Sequence, residues 1–138
     1  MTKENTMKEV QVTVYDKQIY ESHSDENENK YRGNLAFKND NIYITYKEEE
    51  QKITTMIKVK DGVVNIKRLG AIKGDLEFSA NKSSKSLYST PYGQMELEII
   101  TNKCDVYLLE KGVKIYIEYK IMMQGSKVSE NIYLIVTN

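Results

Sequence analysis

The stretch "TTMIKVKDGVVNIKRLGA", residues 54–71, decides the fold, because apolar side chains recur at every second position on both sides of an Asp-Gly pair. Alternation with a period of two is typical of a β-strand with one buried face. Asp-Gly between two such runs predicts a two-residue hairpin turn. With Asp61-Gly62 as the turn, apolar residues face each other across the two strands, Val59 with Val64 and Ile57 with Ile66.

Two other turn signals give the same result. Asn39-Asp40 as a turn aligns Phe37 with Ile42 and Leu35 with Ile44, and Lys111-Gly112 as a turn aligns Leu108 with Ile115, Val106 with Ile117 and Cys104 with Tyr119. Because the register fixes which side chains share a face, the three hairpins agree on the buried face. The register of the last hairpin stays open, since Glu130 shares a face with Ile132, Leu134 and Val136 unless a bulge intervenes.

Short strands joined by tight turns predict an all-β fold of one domain, residues 1–138. A meander of about eight to ten antiparallel strands fits the length, and closing it into a single β-barrel buries the apolar face and removes the exposed edges. A sandwich of two sheets is the main alternative. The segment "ESHSDENENK", residues 21–30, is polar and without periodicity, so we expect a long solvated loop after the first strand.

Composition excludes several classes of function. Lys plus Arg and Asp plus Glu number 20 each, so no net field favours nucleic acid or an anionic membrane. No apolar run approaches the roughly 20 residues of a spanning helix, and no secretory signal opens the chain. Cys104 is the sole cysteine, which excludes an internal disulfide and fits a reducing compartment. We therefore expect a soluble, cytoplasmic protein.

Arg68 breaks the apolar pattern. Two steps beyond Ile57 and Ile66 the same register pairs Thr55 with Arg68, which places an arginine on the inward face. A buried guanidinium needs a partner for its donors. That partner is either internal, such as Glu130, or the polar head of an amphipathic ligand bound inside the barrel. Arg68 near a rim with its side chain reaching solvent is a further alternative.

Other reactive side chains point to no catalysis. His23 lies in the acidic segment beside serines, and we interpret it as exposed and without a role, because a catalytic triad needs groups that converge on rigid elements. Cys104 is interpreted as a small core residue. One His and one Cys do not supply the nitrogen and sulfur ligands of a usual zinc site, and the acidic run at residues 47–52 lacks the spacing and central glycine of a calcium loop. We expect no enzyme, no metal and no cofactor.

The single proline lies in "YSTPYG", residues 88–93. Pro91 lacks a backbone donor and favours an extended Thr90, so it predicts the start of a strand or a barrel corner, with Tyr88 and Tyr92 packing around it. Gly93 permits the bend before Met95, Leu97 and Ile99 enter the core. Four tyrosines are placed on the outer face, where a partner or a second copy can bind, namely Tyr43, Tyr107, Tyr116 and Tyr133.

The order of these motifs resembles the YwiB-like family of uncharacterised bacterial proteins. The matching segments are "NIYITYKEE", "TTMIKVKDGVVNIKRLGA", "LYSTPYGQMELEIIT" and "GVKIYIEYKI". The family pattern carries over onto Thr55, Lys58, Arg68, Gly70, Tyr88 and Gly93. The resemblance implies a lipocalin-like (calycin-like) antiparallel β-barrel and no established biochemical function.

Two functions follow as hypotheses. The first is a barrel that binds a small amphipathic or anionic ligand, with Arg68, Thr55, Tyr88 and Tyr119 as candidate binding residues. The alternative is a structural or protein-interaction module whose barrel is filled by its own side chains. Its outer strands would then bind a partner or a second copy of the chain.

Overall fold

The computed structural model describes residues 5–138 and contains ten antiparallel strands in one sheet. Every strand pairs with its neighbours along the chain except at one junction, and β1 also pairs with β10, so the meander wraps around into a nearly closed barrel. The strands are β1 (Thr6–Ile19), β2 (Ser24–Lys38), β3 (Asn41–Glu48), β4 (Ile53–Lys60), β5 (Val63–Gly70), β6 (Gly74–Phe78), β7 (Ser83–Thr90), β8 (Gly93–Leu108), β9 (Val113–Met123) and β10 (Ser126–Thr137). The all-β barrel predicted from the sequence is confirmed. Within residues 5–138, no helix is long and apolar enough to cross a membrane.

Two hairpins have the predicted registers. Asp61 and Gly62 have φ values of 50° and 78°, and the strands they join align Val59 with Val64 and Ile57 with Ile66. Asn39 and Asp40 have φ values of 52° and 66°, and their strands align Phe37 with Ile42. Positive φ at both central residues is the turn geometry that matches strand twist, which is why these short polar pairs fix the register.

The junction between β6 and β7 closes differently from the others. A single bridge joins the two strands, through mutual backbone hydrogen bonds of Lys73 and Ser89. Further along, serine hydroxyls replace the missing backbone donors: Ser86 Oγ donates to the Asp75 carbonyl at 2.7 Å and Ser84 Oγ to the Glu77 carbonyl at 2.9 Å. The two hydroxyls therefore satisfy edge carbonyls of β6 at a seam that has no continuous ladder.

The interior is built by alternate residues of every strand. Its largest fully buried side chains are aliphatic with one aromatic, namely Val12, Leu35, Ile44, Ile57, Val64, Ile66, Phe78, Ile99, Val113, Ile115, Ile117 and Ile135. Cys104 is half-buried against this core, as predicted, with Sγ 3.8 Å from the Phe78 carbonyl oxygen.

The predicted loop at residues 21–30 is wrong. β2 begins at Ser24, and the connection is a tight turn closed by the Tyr20 amide donating to the His23 carbonyl. Residues 24–30 are strand yet exposed, because β3 pairs with β2 only from Gly33 onward and leaves this part of β2 with β1 as its single neighbour. Cross-strand polar pairs replace core burial there, as between Lys17 and Glu26. A strand that is polar on both faces has no hydrophobic period to detect.

The predicted Lys111-Gly112 register is also wrong. The loop between β8 and β9 spans residues 109–112, with the Leu109 amide bonded to the Gly112 carbonyl. Leu108 therefore pairs with Val113 rather than Ile115, a shift of two that keeps the same faces inward. A bulge between Thr101 and Lys103 shifts the alternation of β8 by one residue. Thr101 therefore points inward before the bulge and Cys104 after it.

The last hairpin, left open by the sequence, contains a bulge between Lys127 and Ser129. Glu130 does share a face with Ile132, Leu134 and Val136, but that face is the outer one. The inner face carries Ser129, Asn131, Tyr133, Ile135 and Thr137, all buried. The prediction that Tyr133 lies outside is therefore wrong, since only 3% of it is exposed.

Pro91 and Tyr92 form the two-residue turn between β7 and β8, which agrees with the corner predicted for the proline. Gly93 has a φ of 127°, in the region where a glycine is favoured. Tyr88 points inward, but Tyr92 is fully exposed, so the prediction that it packs around the corner is wrong. Leu97 and Ile99 enter the core, whereas Met95 is only partly covered.

Candidate functional site

A cavity of about 330 Å³ occupies the end of the barrel next to the tip of the β1–β2 hairpin. One part of its wall is apolar, formed by Leu76, Met95, Leu97, Ile99, Ile121, Met123 and Val128. The other part is polar, formed by Arg68, Tyr88, Tyr119, Ser129, Asn131 and Tyr133. The barrel is therefore incompletely filled at this end, and its open space has a polar and an apolar side.

Arg68 lies in the polar wall, at the end of β5. Nη1 donates to the Tyr88 hydroxyl at 3.0 Å and Nη2 donates to the Tyr133 hydroxyl at 3.3 Å, while Nε is buried without a partner. Among residues 5–138, no carboxylate oxygen lies within 4 Å of the guanidinium; Glu130, the internal partner considered from the sequence, instead contacts Lys127 at 3.5 Å on the outside. The described residues around Arg68 therefore offer its positive charge neutral hydroxyls and no carboxylate.

Tyr46, Thr55 and Arg68 lie side by side on three adjacent strands. Tyr46 pairs with Thr55 across β3 and β4, and Thr55 pairs with Arg68 across β4 and β5, so the three form one inward row. Thr55 is completely buried, its Oγ1 has no hydrogen-bond partner, and it does not line the cavity. Two neighbouring polar atoms, Thr55 Oγ1 and Arg68 Nε, are therefore both without partners.

The sequence identified neither Tyr133, which belongs to the polar wall, nor Tyr46, which contacts Tyr133 but does not line the cavity. Their hydroxyl oxygens are 3.5 Å apart, and both side chains are buried. Burial, with the nearby Tyr133, raises the pKa of Tyr46 well above its usual value. Tyr46 therefore stays neutral at physiological pH and supplies a dipole rather than a counter-charge for Arg68. Inward placement of Tyr133 depends on the β10 bulge, which no residue pattern in the last hairpin announced.

Tyr88 reaches Arg68 from across the seam. It lies on β7, whereas Arg68 lies on β5 opposite Gly74 of β6. A Cβ on Gly74 would overlap the Tyr88 ring, so the ring packs directly against the glycine backbone. An aromatic ring laid over a glycine on the neighbouring strand protects that strand edge. Here the same contact aims the Tyr88 hydroxyl at the guanidinium.

Tyr119, predicted to face inward, lines the cavity beside these groups. Its ring packs edge-on against Phe78, with centroids 4.7 Å apart. Burial raises the pKa of Tyr119, so its hydroxyl also stays neutral. Asn131 and Ser129 continue the polar wall, with Asn131 Nδ2 donating to the Tyr119 carbonyl at 3.4 Å and to Ser129 Oγ at 3.1 Å. The wall is rich in uncharged hydrogen-bonding groups.

The mouth of the cavity is formed by Asp16, Lys17 and Gln18 of β1 and by Tyr20, which follows β1. Asp16 accepts a hydrogen bond from Asn27 at 3.3 Å, and Lys17 lies 3.8 Å from the carboxylate of Glu26. Each charged group at the mouth thus has a partner on β2.

Ser22, His23 and Asp25 come together in the β1–β2 turn. Ser22 Oγ lies 3.0 Å from His23 Nδ1, and Asp25 Oδ2 lies 3.7 Å from His23 Nε2. The His23 and Asp25 side chains are more than half exposed on a turn outside the cavity. A triad requires a shielded site on rigid elements, so this contact has no catalytic geometry. No group of three potential metal ligands occurs in residues 5–138.

Comparison with known proteins identifies the family. A profile described as "Domain of unknown function (DUF1934)" matches residues 7–135. The chain belongs to this family. It is 29% identical over 115 residues to the uncharacterised β-barrel protein YwiB of Bacillus subtilis (strain 168), covering 80% of this chain and 81% of that protein. The crystal structure of the ywiB protein from Bacillus subtilis matches 97% of this chain and 94% of its own, with a TM-score of 0.85 and 21% identity, which shows a common fold. The resemblance drawn from the motifs is confirmed.

The structure places the six positions that carried this resemblance in the DUF1934 barrel. Thr55, Arg68 and Tyr88 meet at the polar wall of the cavity or directly beside it. Gly70 and Gly93 have φ values of 122° and 127°, backbone conformations that favour glycine. Lys58 points outward, with Nζ 5.9 Å from the centre of the Tyr43 ring. Half of the family pattern therefore consists of one arginine and two residues next to it.

Proposed function

We propose that this DUF1934 protein binds a small amphipathic anion inside the barrel. The charged head of the ligand lies at Arg68, and its apolar tail lies along Leu76, Leu97, Ile99 and Ile121. The observation that carries the proposal is an inward guanidinium that no carboxylate of residues 5–138 neutralises, at the polar end of an otherwise apolar cavity.

Burial of a charge is unfavourable unless a counter-charge and hydrogen bonds compensate for it. Tyr88 and Tyr133 supply two hydrogen bonds to Arg68 but no charge, and Nε has no partner. An anionic ligand supplies the missing charge in a medium where the attraction is stronger than in water. Binding therefore gives Arg68 what the protein itself does not provide.

The dimensions and lining of the cavity support a small ligand. Ligand pockets of roughly 300–1,000 Å³ with mostly apolar walls and a few convergent polar groups are typical of small-molecule sites, and about 330 Å³ lies at the lower end of that range. A barrel filled by its own side chains, the alternative hypothesis, is less well supported by an open space of this size. A homodimer, a lipocalin-like relationship and a cytoplasmic location stay predictions.

Native mass spectrometry of the protein purified from its own host, followed by denaturing extraction, tests the proposal. We expect a stoichiometric small anion on the wild type and on Lys67→Met, and none on Arg68→Met. Lys67 is a matched control because it neighbours Arg68 in sequence but is exposed on the outer face. A ligand retained in full by Arg68→Met would overturn the role of Arg68. A ligand-free wild type that also binds no added anionic amphiphile would overturn the proposal itself.

A further inference from the structure

The charged groups that line the cavity are few and nearly balanced. Arg68 is the one cation in the polar wall. Lys17, the other lining cation, lies on the outer face of β1 and contacts Glu26 at the mouth. Asp16 shares the inward parity of Val12 and Val14 and lines the cavity near its mouth. Among residues 5–138, the cavity lining therefore carries one cation in the polar wall and one carboxylate at the mouth.

This balance constrains the charge of a bound head group. A carboxylate carries one negative charge at neutral pH, which Arg68 neutralises. A phosphate monoester carries about −1.5 to −2, which leaves up to one uncompensated charge in a largely apolar cavity. Uncompensated charge in such a site is strongly unfavourable. Asp16 adds repulsion for the more highly charged ligand.

The hydrogen-bond donors suit the same head group. The hydroxyl oxygens of Tyr88 and Tyr133 accept from Arg68; the Tyr88 proton is therefore available to a ligand, whereas the Tyr133 hydroxyl also lies 3.5 Å from that of Tyr46. Together with the Nη hydrogens of Arg68 that do not bind the tyrosines, this donor matches a planar group with two acceptor oxygens. Among residues 5–138, no second cation lies in the polar wall to bind a third oxygen.

Resting on the function proposed above, we propose that the ligand is an organic monocarboxylate with an apolar tail, and that the cavity discriminates against phosphate esters. Discrimination arises from the single charge of Arg68 and the negative charge of Asp16. Tyr88 supplies a neutral hydrogen-bond donor to the head group.

Calorimetric titration with three probes of one tail length tests this inference: octanoate, octyl phosphate and 1-octanol. At pH 7.5 we expect octanoate to bind the wild-type protein at least tenfold more tightly than either other probe. Lowering the pH to 5.5 converts octyl phosphate mainly to its monoanion, so its affinity should rise at least tenfold while that of octanoate changes little. Tyr88→Phe should weaken octanoate severalfold and leave 1-octanol unchanged.

The outcomes separate this inference from the function on which it rests. If octyl phosphate binds at pH 7.5 as tightly as octanoate, and both depend on Arg68, the charge selectivity is wrong and anion binding stands. If none of the probes binds the wild-type protein, both proposals fail. Lys67→Met serves as the control and should bind all three probes as the wild type does.

Discussion

The two ends of the barrel interior differ in chemistry although the same strands build both. Three layers of inward residues cross β3, β4 and β5 in register. The first layer contains Ile42, Val59 and Val64, the second contains Ile44, Ile57 and Ile66, and the third contains Tyr46, Thr55 and Arg68. Two residues further along each strand, the aliphatic core therefore gives way to a polar layer that ends at Arg68 in the cavity wall.

The third layer is also bounded by glycines, which the other two are not. Gly33 precedes Tyr46 in the row and Gly74 follows Arg68, whereas Leu35 and Leu76 occupy these positions in the second layer. The missing side chain of Gly74 leaves room for the Tyr88 ring, and that of Gly33 lets the backbone of Thr45 approach closely. The comparison shows that the filled end provides stability, and that the open end places one charge among neutral hydroxyls.

The largest difference between the two ends is expected on truncation of isoleucine. Ile44→Ala at the filled end removes a fully buried side chain and should lower the free energy of unfolding by about 3–4 kcal/mol. Ile121→Ala in the cavity wall only enlarges a space that exists, so we expect about 1 kcal/mol. Urea denaturation measures both. Equal losses would show that the open end is packed as tightly as the filled end.

A smaller effect is expected at the seam. Gly74→Ala forces the Tyr88 ring away from its place, which should destabilise the protein by about 2 kcal/mol, as overpacking typically does. In a Tyr88→Ala background the same change should cost much less, because the conflict is removed. A double-mutant cycle measures this coupling. Additive effects would contradict the contact between the ring and the glycine.

Much of this contrast was predictable from the sequence, and the rest depended on bulges. Asp61-Gly62 fixed the register far enough to place Thr55 and Arg68 inward, because a two-residue turn leaves no freedom in the pairing. Tyr133 was assigned to the wrong face, since the hairpin between β9 and β10 contains a bulge that alternation does not reveal.

The ends of the hairpins were harder to predict for a different reason. The four-residue loop at residues 109–112 contains the same Lys-Gly signal as a two-residue turn, so the register was shifted. The exposed beginning of β2 lacks any buried face and reads as a loop. A strand with one face against the core shows alternating apolar and polar residues, so the sequence predicts it. A strand with both faces exposed has no such alternation and is not predicted.

Cys104, at the filled end, gives a pH-dependent test. Burial, with a contribution from Asp105, raises the pKa of the thiol from 9.0 to about 11. The folded state favours the protonated thiol, so this contribution to stability is complete below pH 9 and is lost as the pH rises toward 11. The stability difference between the wild type and Cys104→Ala should shrink over that range.

The same shift predicts slow chemistry at this thiol. The thiolate is the reactive form, so alkylation of native Cys104 at pH 8.5 should be roughly a hundredfold slower than in the unfolded chain, since the pKa differs by two units. Iodoacetamide labelling followed by mass spectrometry measures the rate. Equal rates in the two states would contradict burial of the thiol.

The most direct test of the central claim is the stability of ligand-free Arg68→Met, measured by urea denaturation beside the wild type at pH 7. If Arg68 is retained for binding, removing an uncompensated buried charge should raise the free energy of unfolding by about 1 kcal/mol, while octanoate binding falls at least tenfold. If Arg68 instead holds the barrel together, the variant should lose about 3–5 kcal/mol, as proteins do when a buried ionic network is broken, and the account would be contradicted.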